Sequence, residues 1–211
     1  MDKAELAREL AEEISKRLRR SRTRVPIGVS NRHAHITQAH FETLFGKGAA
    51  LTKFKDLSQP GQFAGNEKID IQGPKGAIKG VRLLGPFRPK TQIEVSWTEA
   101  VVLGIQPPVR ESGDLAGSAA LKLAGPLGSV EVREGLILAR RHLHCSAAEA
   151  AAIGLSNGEV VRLRVGRGGE RETVFEKTVV RVSDKFSLEL HLDTDEANAA
   201  GARTGDPAYI V

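Results

Sequence analysis

The sequence is poor in cysteine and in aromatic residues, and it contains no long hydrophobic run. Its single cysteine, Cys145, excludes a disulfide within the chain and fits a reducing compartment. Phe, Trp and Tyr together make up 4% of the 211 residues, so Val, Ile, Leu and Ala must form the core. No apolar stretch approaches the roughly 20 residues of a membrane-spanning helix, and the charged N-terminus is unlike a secretory signal. We therefore expect a cytoplasmic protein with one sizeable domain or two small ones.

The positive charge of the chain is concentrated near its N-terminus. Residues 16–24 contain no acid and six cations: Lys16, Arg17, Arg19, Arg20, Arg22 and Arg24. Without these six, the formal net charge of +5 becomes −1. The basic character is therefore that of a local arm, which argues against nucleic-acid binding by the rest of the protein.

Residues 2–20 are predicted to form an amphipathic helix. The apolar residues recur every four positions: Leu6, Leu10, Ile14 and Leu18. Acidic residues cluster early and cations late, as the helix dipole favours. Such a helix either docks on its own domain or is a detachable peptide that packs onto partner proteins, and both interpretations stay open.

A short pattern occurs four times further along the chain. Each copy has a metal-competent side chain, an intervening residue, a helix-capping residue and, eight or nine positions after the cap, a glycine. The caps and glycines are Thr37 with Gly46, Ser96 with Gly104, Ser146 with Gly154, and Asp193 with Gly201. In the last three copies a glutamate three residues after the cap is typical of a capping box. Each copy predicts a strand that runs into a short helix ended by a left-handed glycine.

The polar side chains at these four strand ends are candidate metal ligands: His33, His35, Glu94, His142, His144 and His191. In a His-x-His pair on a strand, both imidazoles lie on one face about 6–7 Å apart. Imidazole and carboxylate suit Zn²⁺ or a similar divalent ion, and six ligands suffice for two ions. The alternative is that these are hydrogen-bonded strand-end residues without a metal. Five of the six histidines in one repeated context favour the metal.

Two residues near these motifs are not expected to bind metal. His40, inside the first short helix, has no such partner and is expected at the surface. Cys145 alternates with His144 along the strand and is expected to be a small core residue.

The remaining pattern predicts a mainly β protein with short helices. Alternating segments separated by glycine-containing turns lie at residues 68–71, 79–84, 91–95, 130–132, 136–139, 160–165, 174–182 and 187–192. Many short strands with small helices favour compact barrels over a doubly wound sheet. Two small β-barrel domains plus the N-terminal helix are the expected architecture.

Four blocks of the sequence resemble signature blocks of the PduL-type phosphate acyltransferases, the phosphate propanoyltransferase family. The blocks are residues 29–35, residues 85–88 with 92–96, residues 141–144 and residues 191–198. They occur in the family's order, and the resemblance extends from residue 25 to residue 211.

The resemblance implies two β-barrels with the active site between them. Residues 25–31 and 140–211 would form one discontinuous barrel, and residues 32–139 would form the other. Residues 1–24 would be a separate amphipathic helix and basic arm. In members found in bacterial microcompartments such an extension is an encapsulation peptide. This implies a cytoplasmic location inside a microcompartment, shell or cargo proteins as partners, and a homodimer or higher homo-oligomer.

The resemblance also implies an activity and the residues that perform it. A short acyl group, propionyl or acetyl, would move reversibly between coenzyme A and inorganic phosphate at two zinc ions, by direct phosphate attack. One metal would take His33, His35 and Glu94, and the other would take His142, His144 and His191. Arg88 matches the family's phosphate-holding arginine. The positions that contact coenzyme A in the family are Ser30, Lys55, Arg82, Leu84 and Asn198.

Two other functions stay open on the sequence alone. An open dinuclear zinc site also activates water, so a zinc-dependent hydrolase of acyl thioesters is one alternative. The other is a nucleic-acid- or shell-binding module in which the metal is structural. No arrangement of a nucleophile with a base is apparent, so we expect no covalent acyl-enzyme.

Overall fold

The computed structural model describes residues 2–211, and it divides them into two compact units with separate hydrophobic cores. The first unit contains the chain up to Val29, Arg141–Leu192 and Glu196–Val211. The second contains Ser30–Arg140 and Asp193–Asp195. The first unit is thus discontinuous in sequence.

Fourteen strands and five helices follow one another along residues 2–211. The helices are α1 (Lys3–Arg22), α2 (Gln38–Phe45), α3 (Trp97–Leu103), α4 (Ala147–Ile153) and α5 (Thr194–Ala199). The strands before residue 100 are β1 (Val25–Ser30), β2 (His33–His35), β3 (Lys53–Asp56), β4 (Phe63–Gln72), β5 (Ala77–Gly85) and β6 (Gln92–Glu94). The later strands are β7 (Val109–Arg110), β8 (Ala119–Ala124), β9 (Ser129–Ala139), β10 (His142–Cys145), β11 (Val160–Val165), β12 (Thr173–Val182), β13 (Glu189–Asp193) and β14 (Pro207–Ile210).

The first unit is a closed six-stranded barrel in the order β1-β13-β10-β12-β11-β14, with β14 pairing back onto β1. Strands β10 and β12 run parallel, whereas β10 and β13 run antiparallel. Alternate residues of each strand fill the core, among them Ile27, Leu143 and Leu163. Because Leu143 and Cys145 face this core, the intervening His144 emerges on the other face of β10.

The second unit is also a closed six-stranded barrel. Its circuit runs β4-β5-β2-β6-β9-β8, and it closes because β8 pairs with both β9 and β4. Strands β3 and β7 extend the sheet at its edges by pairing with β4 and β9. Val81, Leu83, Ile93 and Leu136 are among the fully or almost fully buried core residues. The mainly β architecture with two barrels, predicted from the sequence, is confirmed.

The capping chemistry predicted for α2, α3 and α4 is observed with two exceptions. Ser146 and Glu149 form both bonds of a capping box at the start of α4. At α3 only half of the box forms: Glu99 accepts from the Ser96 backbone at 2.9 Å, while the Ser96 hydroxyl finds no hydrogen-bond partner in the described chain. Gly104 and Gly154 end their helices in the left-handed conformation, as predicted. That prediction is wrong for the glycine after α2, which has φ 102° and ψ 150°.

Helix α1 contacts the first unit only in part. None of its residues is buried, and the apolar stripe predicted from the sequence is exposed to 41–57%. Near its C-terminal end, Arg20 pairs with Glu159 at 2.8 Å and also donates to the carbonyl of Gly154. The helix end therefore docks on its own domain, while about half of the apolar stripe's surface stays exposed. None of the helices in this stretch is both long enough and apolar enough to cross a membrane.

Candidate functional site

The second unit holds a cluster of three candidate ligands, His33, His35 and Glu94, here called the second-unit cluster. Strand β2 pairs antiparallel with β6, which sets His33 directly opposite Glu94. Ala34, between the two histidines, is buried in the core, so both imidazoles share the other face of β2. One ligand atom from each residue lies within 4.8 Å of the others.

The hydrogen bonding of this cluster leaves ring nitrogens available to a metal. His33 Nδ1 lies 2.8 Å from the carbonyl oxygen of Asn31, and Nε2 lies 3.5 Å from Glu94 Oε2. A backbone partner on one nitrogen orients the other toward an ion, as is usual for histidine ligands. His35 is buried, and no residue of the described chain bonds its Nδ1. Burial, aided by the charges of His33 and Arg88, holds the pKa of His35 well below its ordinary value, so the ring is neutral and can bind metal.

The first unit holds the other three candidates, His142, His144 and His191, here called the first-unit cluster. His142 lies directly opposite His191 on the paired strands β10 and β13. The three ring centroids are 4.5–4.8 Å apart, and the candidate ligand atoms again lie within 4.8 Å of one another. Neither ring nitrogen of His144 has a hydrogen-bond partner within residues 2–211. Three converging imidazoles, with both buried ring nitrogens of His144 left without a protein partner among residues 2–211, fit a divalent metal.

Neighbouring side chains set the electrostatics of the first-unit cluster. Burial, followed by the charges of His142, His191 and Arg181, lowers the pKa of His144 to about 2. Arg181 lies directly opposite His144 on β12, a placement that could not be predicted because β12 carries no recognisable motif. Phe186 stacks on His144 with ring centroids 3.8 Å apart.

A buried carboxylate lies beside His191. Glu189 Oε2 lies 3.0 Å from His191 Nε2, without a hydrogen bond between the two atoms. On β1, a Cβ atom added at Gly28 would lie 2.7 Å from Glu189 Cδ. A side chain at position 28 would therefore collide with this carboxylate, and glycine avoids the collision.

In the second unit, Arg88 is connected to the candidate ligand Glu94 through side-chain hydrogen bonds. Arg88 Nη1 donates to Ser112 Oγ at 3.1 Å. Gln92 Nε2 donates to the same hydroxyl at 2.7 Å and to Glu94 Oε1 at 2.5 Å. Gln92 Oε1 accepts from the backbone of Gly113 at 2.8 Å, which fixes the amide. Gln92 and Ser112 were not among the site residues predicted from the sequence. The one signal for Gln92 was its two-residue spacing from Glu94, which places both side chains on one face of a strand.

Three of the five coenzyme A candidates lie on strands beside the second-unit cluster. On β5, Arg82 is paired with His33 and Leu84 with His35, so each side chain emerges on the face of the corresponding imidazole. Lys55 on β3 is paired with Ala64 on β4, and Ala64 is paired with Leu84 on β5. Lys55 and Leu84 therefore lie in one row across the sheet. Arg82 donates to the carbonyl of Gly65 at 2.5 Å and lies 4.6 Å from the Phe54 ring centroid.

The other two candidates lie elsewhere. Ser30 is the last residue of β1 and is partly exposed. Asn198 lies on α5 in the first unit, where its side chain is exposed and its carbonyl oxygen accepts from Arg171 at 2.6 Å.

Two sequence expectations outside the clusters have different outcomes. His40 is not a plain surface residue: it is partly buried, and its Nδ1 lies 2.8 Å from Thr91 Oγ1 because α2 packs beside the start of β6. Cys145 is a fully buried core residue, as predicted. Burial and the charge of Glu149 raise the pKa of the Cys145 thiol to about 11, which disfavours a reactive thiolate.

Comparison with known proteins connects the chain to one family. The family model described as phosphate propanoyltransferase matches residues 26–203. The chain is similar to proteins named phosphate propanoyltransferase from three bacteria. The identities are 48% for Thermotoga maritima (88% of each chain covered), 51% for Priestia megaterium (96% of this chain and 92% of the relative) and 41% for Enterococcus faecalis (100% of both). With a family model and close relatives that span most of its length, the chain belongs to the phosphate propanoyltransferase family.

Proposed function

We propose that the protein catalyses the reversible transfer of a short acyl group, propionyl or acetyl, between coenzyme A and inorganic phosphate. A phosphate oxygen bonds to the thioester carbonyl carbon, the carbon–sulfur bond breaks, and the electron pair leaves with sulfur. The proton of hydrogen phosphate passes to the thiolate, so acyl-CoA and phosphate become acyl phosphate and coenzyme A. The observation that carries the proposal is the linkage of Arg88 to Glu94 through Gln92 and Ser112, which places a guanidinium beside a metal-competent cluster.

The two histidine clusters would hold two zinc ions or similar divalent metals. His33, His35 and Glu94 would bind one ion, and His142, His144 and His191 would bind the other. The fit rests on Nδ1 of His35 and on both ring nitrogens of His144, which are buried and lack protein partners among the described residues. Bound zinc would supply a Lewis acid for the thioester carbonyl and the departing sulfur.

Arg88 would hold the attacking phosphate. A guanidinium presents two parallel N–H donors that match two phosphate oxygens, and it keeps its charge at any physiological pH. Ser112 accepts from Arg88 Nη1, which restricts how the guanidinium can turn. The residue thus contributes positioning and charge stabilisation rather than proton transfer.

Coenzyme A would bind along the row of β5 and β3 residues beside the second-unit cluster. Arg82 and Lys55 offer cations for its phosphate groups, and Leu84 offers an apolar contact near His35. The hydrogen bond to Gly65 and the Phe54 ring hold Arg82 in place before substrate arrives. Ser30 and Asn198 would add polar contacts, as the family resemblance implies.

Helix α1 would act as an encapsulation peptide that brings the enzyme into a bacterial microcompartment. The exposed stripe of Leu6, Leu10, Ile14 and Leu18 supports this, because an apolar helix face of this kind packs into a groove on another protein. The partner would be a shell or cargo protein, and the enzyme would be a homodimer or higher homo-oligomer. Fusion of residues 1–24 to a fluorescent protein, with a Leu10→Gln and Ile14→Gln variant as control, tests the encapsulation directly.

The transfer reaction is tested by the release of free thiol from propionyl-CoA. Release that requires both phosphate and bound metal is expected, with acyl phosphate as the second product. Thiol release without phosphate would instead indicate a hydrolase. The absence of release from propionyl-CoA and acetyl-CoA by zinc-loaded protein would overturn the proposal.

A further inference from the structure

A cavity of about 470 Å³ lies on the outer face of the first unit. Its lining includes Arg22 at the end of α1, Arg24 just before β1, Arg164 on β11 and Arg167 in the turn after β11. Tyr209, which is paired with Arg164 across β11 and β14, lines it as well. The cavity is outside the barrel because the neighbours of Arg164 in sequence face the core.

The cavity is strongly positive. Arg164 Nε lies 3.3 Å from Glu172 Oε1, but Arg22, Arg24 and Arg167 form no ion pair with any carboxylate of the described chain. No acidic side chain lines the cavity, whereas four arginines do. Grouping four like charges of which only Arg164 has a counter-charge costs energy, and an anion in the cavity would lower that cost.

The four arginines come from separate parts of the first unit. A cation in the last turn of a helix is favoured by the helix dipole, which accounts for Arg22. That reason does not apply to Arg164 and Arg167, which the barrel supplies. The guanidinium of Arg167 lies 5.0 Å from the centroid of the Tyr209 ring, a contact that holds it at the cavity.

We propose that this cavity binds a small anion with two or more phosphate groups, of the chemical class of nucleoside polyphosphates and inorganic polyphosphates. Each guanidinium can grip two phosphate oxygens, and four of them exceed what a single phosphate needs. The volume is within the range of small-molecule sites. An anion held by Arg22 and Arg24 on one side and by Arg164 and Arg167 on the other would also fasten the end of α1 to the barrel.

The cavity is separate from the candidate metal ligands of the same unit. The first-unit cluster lies on β10 and β13, whereas Arg164 and Tyr209 lie on β11 and β14. Around the barrel, β12 separates β10 from β11, and β1 separates β13 from β14. The bound anion is therefore a ligand additional to the phosphate that would react.

The test is calorimetric titration of the zinc-loaded full chain with tripolyphosphate at low ionic strength. We expect Arg24→Gln with Arg167→Gln to weaken binding by about tenfold or more, since each lost charge-assisted hydrogen bond costs at least about that factor. Arg8→Gln with Arg133→Gln removes the same charge from exposed positions outside the cavity, and we expect unchanged affinity. If tripolyphosphate binding weakened equally in both double variants, or weakened in neither, the proposal would be overturned. Arg167→Gln alone gives the same test if the double variant does not fold.

Three further measurements distinguish a polyphosphate site from a substrate site, an orthophosphate site and a nucleic-acid site. The double variant should keep the KM for propionyl-CoA; a rise parallel to the loss of tripolyphosphate binding would make the cavity part of the substrate site and overturn the proposal. Orthophosphate should bind the cavity much more weakly than tripolyphosphate, and equal affinity would contradict a polyphosphate site. Binding of short duplex DNA but not of tripolyphosphate, lost in the same variant, would replace the proposal by nucleic-acid binding.

Discussion

Glu94 accepts a hydrogen bond from the side-chain amide of Gln92, with Oε1 and Nε2 2.5 Å apart. The two residues lie two positions apart on β6, so their side chains emerge on the same face of the strand. The same amide donates to Ser112, which also accepts from Arg88. A single amide therefore positions both a candidate metal ligand and the candidate phosphate-binding arginine.

Replacing Gln92 by Met should impair the use of phosphate. The variant keeps the length of the side chain but removes the donor to Glu94 and the acceptor for Gly113. A hydrogen bond to a charged group contributes about 1.5–3 kcal/mol, so kcat/KM for phosphate should fall by about 10- to 100-fold. Initial rates at varied phosphate measure this. Gln38→Met is the matched control, because Gln38 donates to Glu42 at 3.1 Å on the exposed surface of α2; equal rates for the two variants would contradict the role of Gln92.

Metal content should report the two clusters separately. His35→Ala and His144→Ala should each lower the bound zinc by about one ion per chain, and the double variant by about two, since a tetrahedral site rarely survives the loss of a protein ligand. His40→Ala should leave zinc content unchanged. Atomic emission spectroscopy of the purified proteins measures the number of zinc ions per chain. Full zinc content in His144→Ala would show that the first-unit cluster does not bind metal.

Arg88→Lys should lose transfer activity while it keeps its metal. Lysine retains the charge but lacks the planar pair of donors, so we expect kcat/KM for phosphate to fall by about 100-fold. Steady-state kinetics with parallel zinc analysis measures both effects. Arg110→Lys, at a partly exposed position paired with Asp114 at 3.7 Å, is the control. Wild-type kinetics in Arg88→Lys would exclude Arg88 from phosphate binding.

Acid should release the end of α1 from the first unit. Partial burial raises the pKa of Glu159, but hydrogen bonds from Arg20 and the Ser156 backbone outweigh it and hold the pKa below the ordinary 4.5. A carboxyl with a lowered folded-state pKa stabilises the contact above pH 4.5, and this stabilisation is lost as pH falls through the lowered value.

Hydrogen exchange of α1 measures this release. Near neutral pH, Glu159→Gln should show faster exchange than wild type at the C-terminal end of α1. Below the lowered pKa the two proteins should exchange alike, because wild-type Glu159 is then also uncharged. A difference that persists in acid would show that the ion pair with Arg20 is not what holds the helix end.

Cys145 should be dispensable for catalysis. The side chain is fully buried, and its raised pKa leaves little thiolate near neutral pH. Cys145→Ala should therefore retain transfer activity, apart from a modest loss of stability, and iodoacetamide should not inactivate the native enzyme. Inactivation of the wild type but not of the variant would point to an acyl-cysteine intermediate.

The sequence predicted the parts of the fold that depend on local chemistry. Alternation revealed β5 and β11, and capping residues located α3 and α4 within a residue or two. Strand β3 was missed because all four of its residues are exposed, which leaves no alternation between buried and exposed positions. Residues 130–132 and 136–139 were predicted as two strands but form β9, since Arg133, Glu134 and Gly135 interrupt the apolar pattern without ending the strand.

In the candidate site, too, the sequence predicted what depends on local patterns and missed what depends on long-range contacts. The repeated pattern of a polar side chain before a capping residue pointed to His35, Glu94, His144 and His191. The His-x-His spacing added His33 and His142. Gln92 was missed although its two-residue spacing from Glu94 places both side chains on one face of β6. Ser112 and Arg181 were missed, because their placement depends on where a loop returns and on which strands pair. Such long-range proximity is a property of topology, and a single sequence carries no local signal for it.

The pairing of β1 with β14 has a consequence for how the protein is made. During translation, Ser30–Arg140 can form the second barrel while the first still lacks most of its strands. Strand β1 must wait, with an unpaired edge, until β14 leaves the ribosome. Nascent chains and proteins that lack β14 would thus share one exposed edge, so the loss of that single strand should produce aggregation rather than a smaller folded enzyme.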